Sequence, residues 1–152
     1  MKDEDPRALE RGERLEDGIR TAVAAWCENR DAAKDQYGPI ASWNTSEITH
    51  MRCLFNCKKS FNEDISRWDV SKVVSLESTF HGATSFNGDL SRWDVSNVTS
   101  LVATFHGATS FNGDLSRWDV SNVMNMGFTF GDATSFNGDL SRWGVSNVTD
   151  MY

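Results

Sequence analysis

The residues of this chain best suited to chemistry are three cysteines and three histidines. His50, Cys53 and Cys57 form an H-x2-C-x3-C pattern, and Cys27 could supply the fourth ligand of a tetrahedral zinc site. This spacing differs from the usual zinc motifs, so three interpretations stay open. The cysteines are small residues in tight positions, or a disulfide ties the N-terminal segment to the residues that follow, or the group binds zinc.

The remaining titratable residues do not indicate catalysis. His81 and His106 lie 25 residues apart in similar segments, and Gly131 takes the same place after a further 25 residues. The carboxylates recur at that interval too, which duplication explains more simply than acid–base chemistry. No phosphate-binding glycine motif or nucleophile motif stands apart from this pattern. We therefore predict no catalytic residues, no cofactor, no metal, and a protein that is not an enzyme.

A repeat of 25 residues positions nearly all of these side chains. The stretch from Phe86 to Ser110 reads FNGDLSRWDVSNVTSLVATFHGATS, and it returns almost unchanged from Phe111 to Ser135. A fixed period of roughly 20–50 residues is typical of repeat architectures, which present long uniform surfaces. The tryptophans that keep this interval are Trp43, Trp68, Trp93, Trp118 and Trp143. Such a surface favours binding or a structural role over catalysis.

The chain divides into three predicted parts. Residues 1–12 are densely charged and predict a flexible arm. Residues 13–39 predict an N-terminal helical cap and a turn, because Ile19 and Val23 share one apolar face. Residues 40–152 predict the repeats. Their units run over 40–60, 61–85, 86–110, 111–135 and, truncated, 136–152.

Two apolar patterns predict the structure inside one unit. Trp93 and Val95 alternate with polar residues, as in a short strand that buries one face. Val98, Leu101 and Phe105 are spaced three and four residues apart, as in a short helical segment. Stacking would bury these columns against equivalent residues of neighbouring units, so the predicted core is continuous.

The repeat also resembles known families. The segment LSRWDVSNVTSL, from Leu90 to Leu101, resembles the strand and the following apolar positions of a leucine-rich repeat. The pattern W-D-V-S-x-V-T-x-[ML]…F…A-T-S-F-N resembles the repeat of BspA-like surface proteins and lipoproteins. The resemblance covers Tyr37 to Tyr152 and departs at Gly144, which replaces a repeating aspartate.

This resemblance carries several implications. The fold would be an α/β repeat solenoid, with leucine-rich-repeat-like coils of one short strand plus one short helical segment and an N-terminal capping helix. The family implies adhesion and protein binding rather than catalysis. It also suggests a surface or secreted location, although the charged N-terminus does not predict a signal peptide.

One exposed face is the predicted binding surface. Because Trp93 and Val95 would point inward, Arg92 and Asp94 should point outward. The candidate binding residues are Arg67, Asp69, Arg92, Asp94, Arg117, Asp119 and Arg142. Two interpretations stay open: a solvated ionic lattice that neutralises itself, or a face that binds a protein with arginine as its anchor.

Other polar columns are best interpreted as structural. The N-G-D segments predict turns closed by an asparagine ladder, with calcium binding by the aspartates as the alternative. Calcium prefers six to eight oxygen ligands, and one aspartate per unit supplies too few. Two threonine columns raise the alternative of ice binding. They are Thr79, Thr104 and Thr129, and Thr84, Thr109 and Thr134.

Charge and hydropathy narrow the choice of partner. Of the net charge of −7, −6 falls in residues 61–152, which disfavours nucleic acid and anionic membrane as partners. No run approaches the roughly 20 apolar residues that cross a bilayer. We predict a protein partner and a non-catalytic interaction or adhesion module. The alternative is a structural subunit held by its arm and its uncapped end, which could self-associate through the open C-terminal unit.

Overall fold

Two helices precede the repeats in the computed structural model, which describes residues 16–152. Helix α1 spans Glu16–Glu28, helix α2 spans Arg30–Tyr37, and one turn of 3-10 helix follows at Ile40–Ser42. The charged arm predicted over residues 1–12 lies outside the described residues. Between α1 and α2, Asn29 is extended, and its Oδ1 accepts a hydrogen bond from the Ala32 N–H at 3.1 Å. This cap starts a second helix where the sequence predicts one continuous helix.

Helix α1 packs against the beginning of the repeats. Ile19 and Val23 are buried, and Trp26 packs edge-on against Trp43 with ring centroids 5.8 Å apart. Trp43 in turn stacks on Trp68 at 6.1 Å. The apolar face of α1 therefore joins the same core as the repeats.

The repeats contain neither the strand nor the helical segment that the sequence predicts. Both α-helices of residues 16–152 lie before the repeats, and the β-type pairings found there are isolated parallel bridges. These bridges join one residue per unit: His50, Ser75, Ser100, Asn125 and Asp150. The predicted α/β repeat solenoid with leucine-rich-repeat-like coils is therefore wrong, and the units are successions of turns.

Consecutive turns occupy the segment predicted as a strand. The Trp93 N–H donates to the Leu90 carbonyl at 3.0 Å, which closes one turn. Asp94 Oδ1 accepts from the N–H and the hydroxyl of Ser96, at 3.0 and 2.6 Å, which fixes the next turn. The alternating burial of Trp93 and Val95 thus comes from turn geometry, which mimics the period of a strand.

Left-handed residues interrupt the segment predicted as helical. Ala103 and Gly107 have φ angles of 51° and 68°, whereas an α-helix requires φ near −63° throughout. Every second N–H of this segment is consequently free to bond to the following unit. The donors Leu101, Ala103, Phe105 and Gly107 reach its carbonyl oxygens at 2.7–2.9 Å. This ladder between units replaces the hydrogen bonds that a helix would make within itself.

Equivalent aromatic side chains of successive units stack on one another in the core. The ring centroids of Phe80 and Phe105 lie 5.5 Å apart, and those of Phe105 and Phe130 lie 5.6 Å apart. Trp118 and Trp143 stack at 6.4 Å. Because each ring is covered mainly by its counterparts, the burial of one unit depends on the presence of its neighbours.

Polar side chains tie the units together in the same register. The indole Nε1 of Trp93 donates to the Ile65 carbonyl at 3.1 Å, and this bond repeats in each following unit. Asn87 Oδ1 accepts from the Asn112 N–H at 2.9 Å, as part of an asparagine ladder between units. The buried Thr104 hydroxyl contacts carbonyl oxygens of two units. Its column is therefore not available to order surface water, as ice binding would require.

Gly144 stands where the three preceding units have Asp69, Asp94 and Asp119, so it allows a test of what this aspartate contributes to its turn. No atom lies within 4 Å of a Cβ built at Gly144, and the described residues provide no acceptor for the Ser146 N–H. Gly144→Asp should supply that acceptor and raise the free energy of unfolding by about 1 kcal/mol in urea denaturation. Gly144→Ala is the control for the loss of glycine flexibility. Equal stability of the two variants would contradict the role assigned to the aspartate.

Candidate interaction surfaces

The exposed arginines of the repeats form a row on a fixed backbone. We call Arg67, Arg92, Arg117 and Arg142 the arginine row, and all four side chains are exposed. Each arginine precedes a tryptophan whose Nε1 donates a hydrogen bond to a main-chain carbonyl of the preceding unit. The packing of successive units in the core therefore sets the spacing of the backbone positions that carry the arginines.

The aspartates predicted to share this face accept hydrogen bonds within their own turns. Asp69, Asp94 and Asp119 are exposed, as predicted. Each accepts a hydrogen bond from the N–H of the serine two residues later, at 3.0 Å. Within residues 16–152, no ion pair shorter than 4.0 Å joins the arginine row to a carboxylate. The self-neutralising ionic lattice is therefore not formed among these residues, and the aspartates support the turns.

The carboxylates electrostatically coupled to the arginine row are the aspartates of the N-G-D segments and their counterpart Asp64. Hydrogen bonds from the hydroxyl and the N–H of Ser66 hold the pKa of Asp64 below its ordinary value, with a smaller contribution from Arg67. Arg92 contributes to the lowered pKa of Asp89 in the same way. The arginines are therefore coupled to a different set of aspartates from the Asp69, Asp94 and Asp119 that were predicted to neighbour them. The sequence contains an indication of this role for the aspartates. The motif D-x-S, which is typical of turns, occurs twice in each full repeat.

Other basic residues of the repeats make ion pairs that the arginine row lacks. Lys72 Nζ lies 2.6 Å from Glu47 Oε1, and an Arg52 guanidinium nitrogen lies 2.8 Å from Glu77 Oε1. Both pairs join adjacent units, and each has at least one exposed partner, so each contributes little to stability. The guanidinium groups of the arginine row make no such pair with the described residues.

The cysteines do not assemble a metal site. In the part of the chain that the structure describes, no three His, Cys, Asp or Glu residues are placed to hold a metal ion, which leaves the zinc and calcium alternatives without support. All three cysteines are free and exposed. Cys53 and Cys57 both have φ of 57°, and they occupy the left-handed positions that Ala103 and Gly107 take in a later unit. These columns share a backbone conformation that favours small residues.

One cavity lies between helix α1 and the first repeats. Its volume is about 630 Å³, and Cys27 and Cys57 both line it, with Trp26 and Phe61. Although Cys27 is exposed as a residue, partial burial of its thiol beside this cavity raises the pKa of the thiol, so it is less readily ionised than a fully solvated one. The disulfide interpretation therefore has a shared cavity in its favour, but both thiols are free in this structure.

Phe128 is an exposed aromatic residue that the sequence analysis missed. It is 56% exposed and has a φ of 56°, a conformation that is costly for a bulky side chain. Its column otherwise holds Cys53, Ser78 and Ala103, so the substitution of a large residue in a small-residue column was the available signal. Phe128 lines a largely apolar cavity of about 490 Å³ at the last described unit, with Trp143 and residues 151–152.

Acid should destabilise the fold through the D-x-S turns. The serine hydrogen bonds lower the pKa values of these aspartates in the folded chain: Asp64, Asp69, Asp89, Asp114, Asp119 and Asp139. A carboxyl with a lowered folded pKa stabilises the fold above its unfolded pKa, about 3.9, and this contribution disappears as the pH falls through the folded value. We expect the urea midpoint to fall as the pH drops below about 4.

The first unit supplies a matched control for this acid effect. Asn44 occupies the place of Asp69, and its uncharged Oδ1 accepts from the N–H and hydroxyl of Ser46 at 3.1 and 2.7 Å. The double variant Asp69→Asn with Asp119→Asn should keep these hydrogen bonds and lose less stability between pH 7 and pH 3 than the parent chain. An unchanged pH dependence would show that these two carboxylates do not carry the effect.

Comparisons with known proteins give one family match. The profile of a family described as "Mycoplasma protein of unknown function, DUF285" matches residues 27–114 and 92–152. No curated protein and no solved structure matches the chain. Among the described residues, neither helix has the length and apolar character needed to cross a membrane.

Proposed function

The chain belongs to the DUF285 family of unknown function, and from that premise we propose that it is a non-catalytic protein-interaction module. The observation that carries this proposal is the arginine row. Four exposed guanidinium groups are held at the spacing of the stacked units, and none of them makes an ion pair with the described residues. Arginine binds carboxylates in a planar, two-pronged geometry, so the fitting partner is a protein that presents acidic side chains.

Adhesion is the finer form of this proposal. The likeness of the repeat to BspA-like surface proteins supports it, as does the uniform side of the stack, which offers the same group once per unit. Repetition matters because several weak contacts that form together give a higher overall affinity than one contact. An acidic partner with a comparable spacing of carboxylates would engage several arginines at once.

The arginine row can be tested by charge reversal. The chain is immobilised, and captured proteins are compared between the parent and the double variant Arg92→Glu with Arg117→Glu. Loss of a specific partner in the variant, and release of the same partner by salt, are the results that the proposal expects.

A matched control separates this surface from net charge. Lys34→Glu with Lys59→Glu makes the same change in charge at exposed positions outside the row. Capture should survive in this control. Equal capture by the parent and the row variant would exclude the arginine row as the binding site.

The second candidate function is a structural subunit that assembles through its C-terminal face. The observation that favours it is the group of large apolar residues that residues 16–152 leave exposed around the last described unit: Phe128, Val145, Met151 and Tyr152. Sedimentation velocity tests it. A concentration-dependent increase in mass supports assembly, and a monomer at all concentrations excludes self-association.

A further inference from the structure

The cavity between helix α1 and the first repeats has a wall that departs from the repeat pattern. Residues 57–61 and 63 form this wall and read CKKSF and E, whereas the equivalent residues of the next two units read GATSF and G. Lys58 takes the place of Ala83 and Ala108, which are completely buried. The first unit therefore brings two lysines, a glutamate and a thiol to one cavity. The cavity volume of about 630 Å³ lies within the range of roughly 300–1,000 Å³ that small-molecule sites occupy.

The cavity is basic although the chain is acidic. Its charged lining residues are three basic ones, Arg30, Lys58 and Lys59, and two acidic ones, Glu28 and Glu63, so its local charge is +1 against −7 for the whole chain. Arg30 Nη1 donates to Glu63 Oε1 at 3.1 Å, which joins α2 to the first repeats beside the cavity. Neither lysine makes an ion pair with the described residues. Two ammonium groups are therefore left without a carboxylate at this site.

The charge of Lys58 acts on the α1 side of the cavity. Desolvation raises the pKa of the Cys27 thiol, and the nearby positive charge of Lys58 opposes this rise. Cys27 belongs to α1, whereas Lys58 belongs to the first repeat. The ammonium group is thus close enough to a group on the opposite wall to affect its ionisation.

Two buried aromatic residues supply the apolar part of the lining. Trp26 is 6% exposed and Phe61 is 5% exposed. The Trp26 Nε1 is buried and has no acceptor among the described residues, whereas the indoles of Trp43 and Trp68 both donate to carbonyls. A buried donor without a partner costs free energy, and a ligand oxygen that accepted from it would recover part of that cost.

We propose that this cavity binds a carboxylate that carries one negative charge and is attached to an apolar group. The carboxylate contacts the ammonium groups of Lys58 and Lys59, and the apolar group packs on Trp26 and Phe61. The local charge of +1 suits a single negative charge, whereas a phosphate monoester carries about −1.5 to −2 at pH 7. This site goes beyond the proposed interaction module, because none of its residues belongs to the arginine row.

Trp26 supplies the readout for this site. Its Nε1 is closed off from solvent in the free chain, so it donates to a ligand oxygen only after a rotation of the indole. Binding therefore changes the environment of the Trp26 indole N–H, and its NMR resonance should shift.

Two sources offer the required chemistry, and two probes distinguish them. 3-Phenylpropionate represents a free aromatic acid, and N-acetyl-Ala-Ala-Phe represents the C-terminus of a peptide. We expect at least one probe to shift the Trp26 indole resonance in a saturable titration, and the amide of that probe to bind at least about tenfold more weakly. An advantage of about tenfold or more for the peptide assigns the site to a peptide C-terminus, and a smaller one assigns it to a free acid.

Variants of the full chain locate the site. Lys58→Ala with Lys59→Thr restores residues that the later units carry at these positions, and it should weaken probe binding at least about tenfold. Arg20→Ala with Lys34→Ala is the control, since it removes the same charge from exposed positions outside the cavity, and it should bind within about twofold of the parent.

Three results would overturn the proposal. The first is the absence of saturable binding by both probes, and the second is an amide that binds as tightly as its acid. The third is an equal loss of binding in the two double variants, or binding that leaves the Trp26 indole resonance unchanged.

Discussion

Trp93→Ala is expected to lower the free energy of unfolding by about 3–5 kcal/mol. Trp93 is 3% exposed, and its indole both fills the core and donates to the Ile65 carbonyl of the preceding unit at 3.1 Å. Alanine would leave a cavity between two units and remove one bond that holds their register. Urea denaturation followed by circular dichroism measures the change, and Trp118→Ala should behave alike.

Trp143→Ala is the control within the same column. Trp143 is half-buried at the last described unit, although it keeps its ring stacking and its indole bond to Leu115. Its replacement should cost clearly less than that of Trp93, because part of the ring already contacts solvent. A Trp93 variant within about 1 kcal/mol of the parent would contradict the assignment of the Trp93 ring to the core between two units.

Phe105→Ala is expected to cost about 3–5 kcal/mol as well, through a different column. Phe105 is completely buried, and its ring stacks between Phe80 and Phe130 at 5.5 and 5.6 Å. It also packs on Phe111, the first residue of the next unit, with ring centroids 4.1 Å apart. Removing the ring would therefore break its stacking with three other aromatic rings at once.

The same substitution at Phe128 should be nearly neutral. Phe128 is 56% exposed and left-handed, and Ala103 takes the same backbone conformation one unit earlier. Phe128→Ala should change the free energy of unfolding by less than about 1 kcal/mol. Equal losses in the free energy of unfolding for Phe105→Ala and Phe128→Ala, measured in parallel urea titrations, would contradict the buried position assigned to Phe105 and the exposed position assigned to Phe128.

The core could be predicted from the sequence because it depends on residue type and period alone. Trp93, Val95, Val98 and Leu101 were predicted to be buried, and all four are at most 3% exposed. The interval of 25 residues fixed which side chains share a column. Burial of a column needs only that equivalent residues meet, whatever the backbone does between them.

The backbone conformation could not be predicted in the same way. Turns at Leu90–Trp93 and around Asp94 bury Trp93 and Val95 and expose Asp94 between them, as a strand would. Ser78 and Ala103 are left-handed without being glycine, so nothing in their identity marks the interruption of a helix. Local spacing therefore suggested regular elements, whereas the hydrogen bonds run between units that are distant in sequence.

The candidate surface was predicted in part. The exposure of Arg92 and Arg117 follows from the burial of the tryptophans beside them. The hydrogen bond that Asp94 accepts in its turn was not predicted. A strand would leave its carboxylate without a local partner, whereas in the D-x-S turn the carboxylate accepts from the Ser96 N–H. The pairing of the Phe105 N–H with the Thr129 carbonyl depends on the ladder between units, which no single unit reveals.

Amide exchange at two equivalent positions tests the stacked ladder most directly. The Phe105 N–H donates to the Thr129 carbonyl of the next unit at 2.9 Å, whereas the Phe130 N–H has no acceptor among residues 16–152. In the monomeric chain, exchange at Phe105 should be at least about a hundredfold slower than at Phe130. Equally slow exchange at both positions would contradict the assignment of protection to the hydrogen bonds between units.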